Sequence, residues 1–140
     1  MTTIRTDYDA LPWLPCTEMF GEAAVYRGKP IIEAKTLADR RREGGGISYL
    51  LRFSPPAGKL IKVVAIARSD EHIFNLSGGR ANKRGEPTAA TGGYSINPKG
   101  QPHSAMIASE TTALVIYAGE PDEVQSVEVL DIEPAPADAA

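Results

Sequence analysis

Residues 92–103, Gly-Gly-Tyr-Ser-Ile-Asn-Pro-Lys-Gly-Gln-Pro-His, constrain the fold of this chain more than any other stretch. They read G-x5-P-x-G-x2-H: a short strand, a tight Pro98-Lys99-Gly100 turn, and a second strand entered at His103. The same grammar recurs along the chain. Strands are expected at 23–27, 31–36, 47–54, 60–67, 72–76, 88–90, 93–96, 104–107, 112–118 and 124–132. Gly/Pro breakers fall at 28–30, 44–46, 55–58, 78–79, 98–100 and 119–121. Many short strands at this spacing argue for an all-β sandwich or barrel of the double-sheet jelly-roll kind. The one helix-like patch is 34–43, where the run Asp39-Arg40-Arg41-Arg42-Glu43 is expected to cap a surface loop. No internal repeat is present.

Composition is consistent with one globular domain. A chain of 140 residues, 42% hydrophobic, can bury a core. A net charge of −3 supplies no basic footprint for nucleic acid. With no run of 18 apolar residues and no leader pattern over residues 1–10, neither a membrane partner nor secretion is expected, and a cytoplasmic location is. The single Cys16 excludes an internal disulfide framework. Cys16 has no activating base near it in sequence, so packing is expected of it rather than nucleophilic catalysis.

The 92–103 motif resembles the second sequence motif of the cupin family, in which the histidine is a metal ligand. The frame of the first cupin motif, G-x5-H-x-H-x3-4-E-x6-G, is also present: Gly58 opens it, and Glu71 and Gly78 keep the E-x6-G spacing. Its two histidines are absent. One register puts Val64 and Ile66 at their positions, the other Ala65 and Ala67. The resemblance covers residues 12–124 and is closest to single-domain cupins similar to the C-terminal domain of ChrR-type anti-sigma factors and to small diketone- or ketone-cleaving dioxygenases. The shared landmarks are Trp13-Leu14-Pro15, Gly44-Gly45-Gly46 and Leu50-Leu51-Arg52-Phe53-Ser54-Pro55-Pro56-Ala57-Gly58. The resemblance implies a double-stranded β-helix, or jelly-roll barrel. On this reading residues 1–20 are an N-terminal arm, 21–132 the cupin domain, and 133–140 a disordered tail. The resemblance implies a homodimer, as is common among small cupins, with residues 11–14 around Trp13 either crossing to a neighbour or packing on their own barrel.

Strand alternation sorts the candidate site residues. If Glu71 points inward, Ile73 and Asn75 follow, while His72 and Phe74 face away; His103, Ala105 and Ile107 share a face. The family register then brings Glu71 and His103 to one pocket whose other walls are small and aliphatic, with Ala65, Ala67, Tyr94 and Ala105 as ligand-binding candidates. Such a pocket suits a small organic molecule. Glutamate and histidine are suited to general acid–base work, so Glu71 and His103 are the catalytic candidates, with no cofactor, for an isomerase, lyase or cyclase acting on a small carbonyl or aromatic compound. Three other readings stay open. The chain could be a non-catalytic binding or sensing cupin. It could hold a divalent metal (Zn, Fe, Mn or Ni) at Glu71, His103 and His72, in a degenerate dioxygenase-like site. Each residue also has a plainer role: Glu71 as a loop carboxylate, His103 as a loop tie, His72 facing solvent or an interface, Tyr94 in packing, and residues 40–42 as a solvated turn.

Overall fold

The structure, a computed structural model, describes residues 2–89 and 91–134. A six-stranded sheet runs in the spatial order β1 (Leu14–Pro15), β4 (Ile32–Asp39), β5 (Ile47–Phe53), β10 (Thr111–Tyr117), β7 (Glu71–Ser77), β8 (Tyr94–Asn97). A three-stranded sheet runs β11 (Glu123–Asp131), β6 (Lys59–Ile66), β9 (Pro102–Ile107), and a small ribbon pairs β2 (Val25–Tyr26) with β3 (Lys29–Pro30). All pairings are antiparallel.

The core forms where the inner faces of the two larger sheets meet. Along β10 the period of two is clear: Thr111, Ala113, Val115 and Tyr117 are buried and the residues between them are not. Ile61 from the three-stranded sheet joins Tyr49, Leu51, Val115 and Tyr117 in one cluster. The result is the double-sheet jelly roll expected from the sequence. Gly46 shows how tightly its end is closed. With φ at +74°, it passes so near the end of β10 that a Cβ there would lie 2.0 Å from the Tyr117 carbonyl oxygen. Only glycine combines that backbone with that approach.

Several local expectations need correction. The patch 34–43 is not helical. Residues 32–39 pair along their length with β5, with a bulge between Thr36 and Ala38, and only Arg41–Glu43 turns, as one 3-10 turn. Ladder pairing and burial of Ile32 and Lys35 override the helix-forming composition of that segment. Among the described residues the one α-helical turn lies instead in the arm, at Thr17–Phe20 (α1), followed by a 3-10 turn at Gly21–Ala24 that occupies the start of the expected 23–27 strand. At 88–90 no strand forms over Thr88 and Ala89, and Ala90 lies outside the described residues; the nearest pairing is a single bridge from Ala81 to Pro87. Residues 135–140 of the expected tail also lie outside them.

The arm packs on its own sheet. Leu14 and Pro15 pair with Ala34 and Glu33, and the Trp13 ring has Lys35 Nζ 4.9 Å and the Arg52 guanidinium 4.5 Å from its centroid. Arg52 is in turn fixed by Glu33 at 3.0 Å. Each cation–ring contact is worth about 0.5–1 kcal/mol at such a partly exposed site. Cys16 is buried beneath the arm, and burial pushes its thiol up to about 11. The 40–42 run lies in the turn expected of it, with Arg41 bridging Asp39, Glu18 and Glu120.

A candidate acid–base centre at one end of the barrel

Strand register assembles the site. Across the six-stranded sheet Tyr117 pairs with Glu71, and Glu71 with Asn97. Across the three-stranded sheet Val124 pairs with Ala65, and Ala65 with His103. Both rows lie at the same end of the barrel, so three strand ends from each sheet bring their inward side chains toward one another. The turn that carries Asp122 is clamped to the same end: Arg68 Nε donates to the Pro121 carbonyl at 2.7 Å and the Ser69 hydroxyl to the Glu120 carbonyl at 2.8 Å.

Three ionisable side chains converge there. His103 Nε2 lies 2.9 Å from Asp122 Oδ2 and 3.5 Å from Glu71 Oε1. Asn97 Nδ2 donates to Glu71 Oε1 at 2.9 Å. Glu71 and Asp122 are almost wholly buried, at 4% and 5% exposure, whereas His103 keeps a fifth of its side chain open. His103 Nε2 and Asp122 Oδ1 are both buried without a hydrogen-bond partner.

Burial raises the Glu71 carboxyl above its ordinary range, and the charge of Asp122 raises it further; hydrogen bonds from Asn97 and Tyr117 and the nearness of His103 oppose the rise. His103 is raised chiefly by the Asp122 carboxylate beside it, with Glu71 adding to the effect. Tyr117, at the floor, is held protonated by burial.

The three groups close one end of a cavity of about 220 Å³ between the sheets. Its walls are largely apolar, with Phe20, Phe53, Val63, Ile73, Ile107 and Val115 among them. A dry apolar cavity of about 150 Å³ already accepts benzene, so this one has room for a substituted ring or a short branched chain.

The inward residues follow the alternation expected from sequence. Glu71, Ile73 and Asn75 line the cavity from β7, and His103, Ala105 and Ile107 from β9. Ala65 also lines it, which selects the Ala65/Ala67 register over Val64/Ile66. Ala67 does not line it. It lies just past the end of β6, buried, with its N–H on the Gln101 carbonyl. Tyr94 reaches the cavity wall, but its ring is half exposed and its hydroxyl lies 2.6 Å from His72 Nδ1. That contact corrects the alternative metal set. His72 faces away from the centre, and Asp122 is the third donor beside Glu71 and His103. Asp122 and Asn97 were not anticipated. Asn97 precedes Pro98 in the motif and stands opposite Glu71, whereas an aspartate after Pro121 reads as an ordinary turn residue.

No protein-family model matches the chain, and no curated protein matches it. Solved structures do. An RmlC-like cupin protein from Ralstonia eutropha JMP134 superposes with a TM-score of 0.59 at 16% identity, over 90% of this chain and 80% of that one. The chain has the cupin fold. Two further cupin-fold neighbours widen the comparison. The polyketide cyclase RemF from Streptomyces resistomycificus matches with a TM-score of 0.53 at 12% identity, over 96% of this chain and 88% of that one. A structure of Fe(II)-HppE with the alternative substrate (S)-1-HPP matches with a TM-score of 0.52 at 15% identity, over 83% of this chain and 60% of that one.

The donors at this centre also fit a divalent metal. One imidazole nitrogen and two carboxylate oxygens lie within 4.8 Å of one another, a donor set of the type such ions take. The unpartnered His103 Nε2 and Asp122 Oδ1 are two of the atoms that would bind.

Proposed function

We propose that this cupin is a small-molecule enzyme of the acid–base type, acting on an enolisable carbonyl compound held in the apolar cavity. The observation that carries the reading is the placement of His103 Nε2 between two buried carboxylates at the closed end of that cavity. Asp122 stabilises the imidazolium, so His103 is suited to donate a proton to a carbonyl oxygen. Glu71, raised by burial, is a stronger base than an exposed carboxylate and is suited to take the α-proton. The enol so formed can be reprotonated at another carbon, lose a β-hydroxyl as water, or close a ring. Ring closure is a reaction of the kind named for one cupin-fold neighbour, the polyketide cyclase RemF. A ligand screen by thermal shift, followed by product analysis on each hit, tests the reading. Small ketones or aromatic carbonyl compounds should raise the melting temperature and be converted. A screen in which none does either would overturn it.

A second reading is favoured by the two unpartnered buried atoms: Glu71, His103 and Asp122 hold a divalent metal. Such a metal would polarise a ligand carbonyl as a Lewis acid, and the cavity residues would still orient the ligand. Metal analysis of protein purified without a histidine tag separates the two. Near-stoichiometric Zn, Fe, Mn or Ni supports the second and rejects the metal-free form of the first.

A further inference from the structure

A second depression, of about 680 Å³, lies on the outer side of the three-stranded sheet. Three cations line it: Lys62 from β6, and Arg80 and Lys83 from the segment joining β7 to β8. None of the three is in an ion pair among the described residues. Two acids also line it. Asp131 is occupied by Lys59 at 2.5 Å, which leaves Glu133 against the three cations. The hydroxyls of Thr88 and Ser104 complete a surface rich in donors.

This basic depression adjoins the apolar cavity. Arg80, Ser104 and Ala105 line both. They lie at β9, along whose free edge the chain runs at Ala81: the Ala81 N–H bonds the Met106 carbonyl at 2.8 Å. Met106 is three residues along β9 from His103, so the Arg80 region and the acid–base centre are separated by about 10 Å at 3.3 Å per residue. At the far end the two carboxylates, Glu71 and Asp122, disfavour a second anion. The charge pattern is therefore polarised along the cavity, with two carboxylates at one end and the Arg80 guanidinium at the other.

We propose that the ligand of this cavity is a small amphiphilic anion: a carboxylate on an aromatic or branched hydrocarbon body, its charged end held at Arg80 with Lys62 and Lys83 beside it and its body reaching toward His103. This rests on the reading of the cavity as the reaction site and adds the substrate class. Arg80 is then a specificity residue, and a carboxylate about three or four bonds from the reacting carbons spans the distance. Arginine suits the role because its planar fork meets a carboxylate bidentately.

Calorimetric titration of the full chain with 3-phenylpropionate and with its neutral isostere 3-phenylpropanamide tests this. The carboxylate should bind at least about tenfold more tightly, the scale of one charge-assisted hydrogen bond, and its advantage should shrink in high salt. Arg80→Ala should remove most of that preference, weakening the carboxylate far more than the amide. Arg80→Glu should reverse the preference. Arg80 is exposed, so neither change threatens the fold. Equal binding of the two probes, or a preference that survives Arg80→Ala, would overturn the proposal while leaving the cavity reading in place. Failure of both probes to bind the wild type would overturn the two together.

Discussion

His103 on β9 and Asp122 in the turn before β11 approach to 2.9 Å although 18 residues separate them in sequence. The contact joins the edge strand of the three-stranded sheet to a turn clamped by Arg68 and Ser69. It gives the cavity a charged acid at its closed end.

Removing the carboxylate should return His103 toward the ordinary imidazole value of 6.5. In Asp122→Asn the His103 ring should therefore titrate at lower pH than in wild type, followed by NMR with the His72 signal identified from a His72→Gln variant. The stability consequence has the same origin. A histidine whose folded value is raised contributes stability that is fully present below 6.5 and is lost as pH rises through the folded value. Asp122→Asn should lose that acid-side contribution. An unchanged His103 titration would mean that the contact does not act on the imidazole.

Glu71 should show a pH dependence of the same sign from a different cause, burial rather than a charged partner. Its folded value is raised above 4.5, so the folded chain keeps the proton longer than the unfolded chain does. Stability associated with this group is present at low pH and falls as pH rises from 4.5 through the raised value. Glu71→Gln keeps an acceptor for Asn97 but cannot ionise. Its melting temperature relative to wild type should rise as pH increases from 4.5, the direction set by that upward shift. A difference that stays flat as pH increases would show that Glu71 is not strained by burial.

Ala65 tests the cavity. It is 1% exposed, lines the wall, and pairs with His103 across β6 and β9. Ala65→Leu should fill the space beside the imidazole with a cost of about 1–3 kcal/mol or less, since a void receives the new atoms. Thermal-shift responses to cavity ligands should disappear while the circular dichroism spectrum stays β-rich. Retained ligand binding would place the ligand elsewhere.

Much of this architecture was legible in the residues. The Pro98–Gly100 turn and the frame around Glu71 and Gly78 pointed to the jelly roll, and a period of two put Ile73, Asn75, Ala105 and Ile107 on the inner face with Glu71 and His103. What was not legible depended on long-range pairing. The 32–39 segment carries helix-compatible residues, and only its ladder with β5 makes it a strand. Ala67 has the right parity for the cavity but falls past the end of β6, a boundary that parity cannot supply. Asp122 has no local signature, since its burial comes from Arg68 and Ser69, more than 50 positions earlier. Arg80 has no local signature either, since its place beside the cavity follows from the hydrogen bond of Ala81 to β9.

The central claim is that Glu71 and His103 transfer protons to and from a bound carbonyl compound, and solvent exchange reads that step without requiring the natural product. Aryl-alkyl ketones that raise the melting temperature should be incubated with the protein in D2O and followed by proton NMR for loss of the α-hydrogen signal. Wild type should catalyse the exchange, and His103→Ala and Glu71→Gln should each slow it by about 10²–10⁴-fold, the range for losing a general acid or base. Ligands that bind with no exchange above the uncatalysed rate, or exchange undiminished in both variants, would contradict the account.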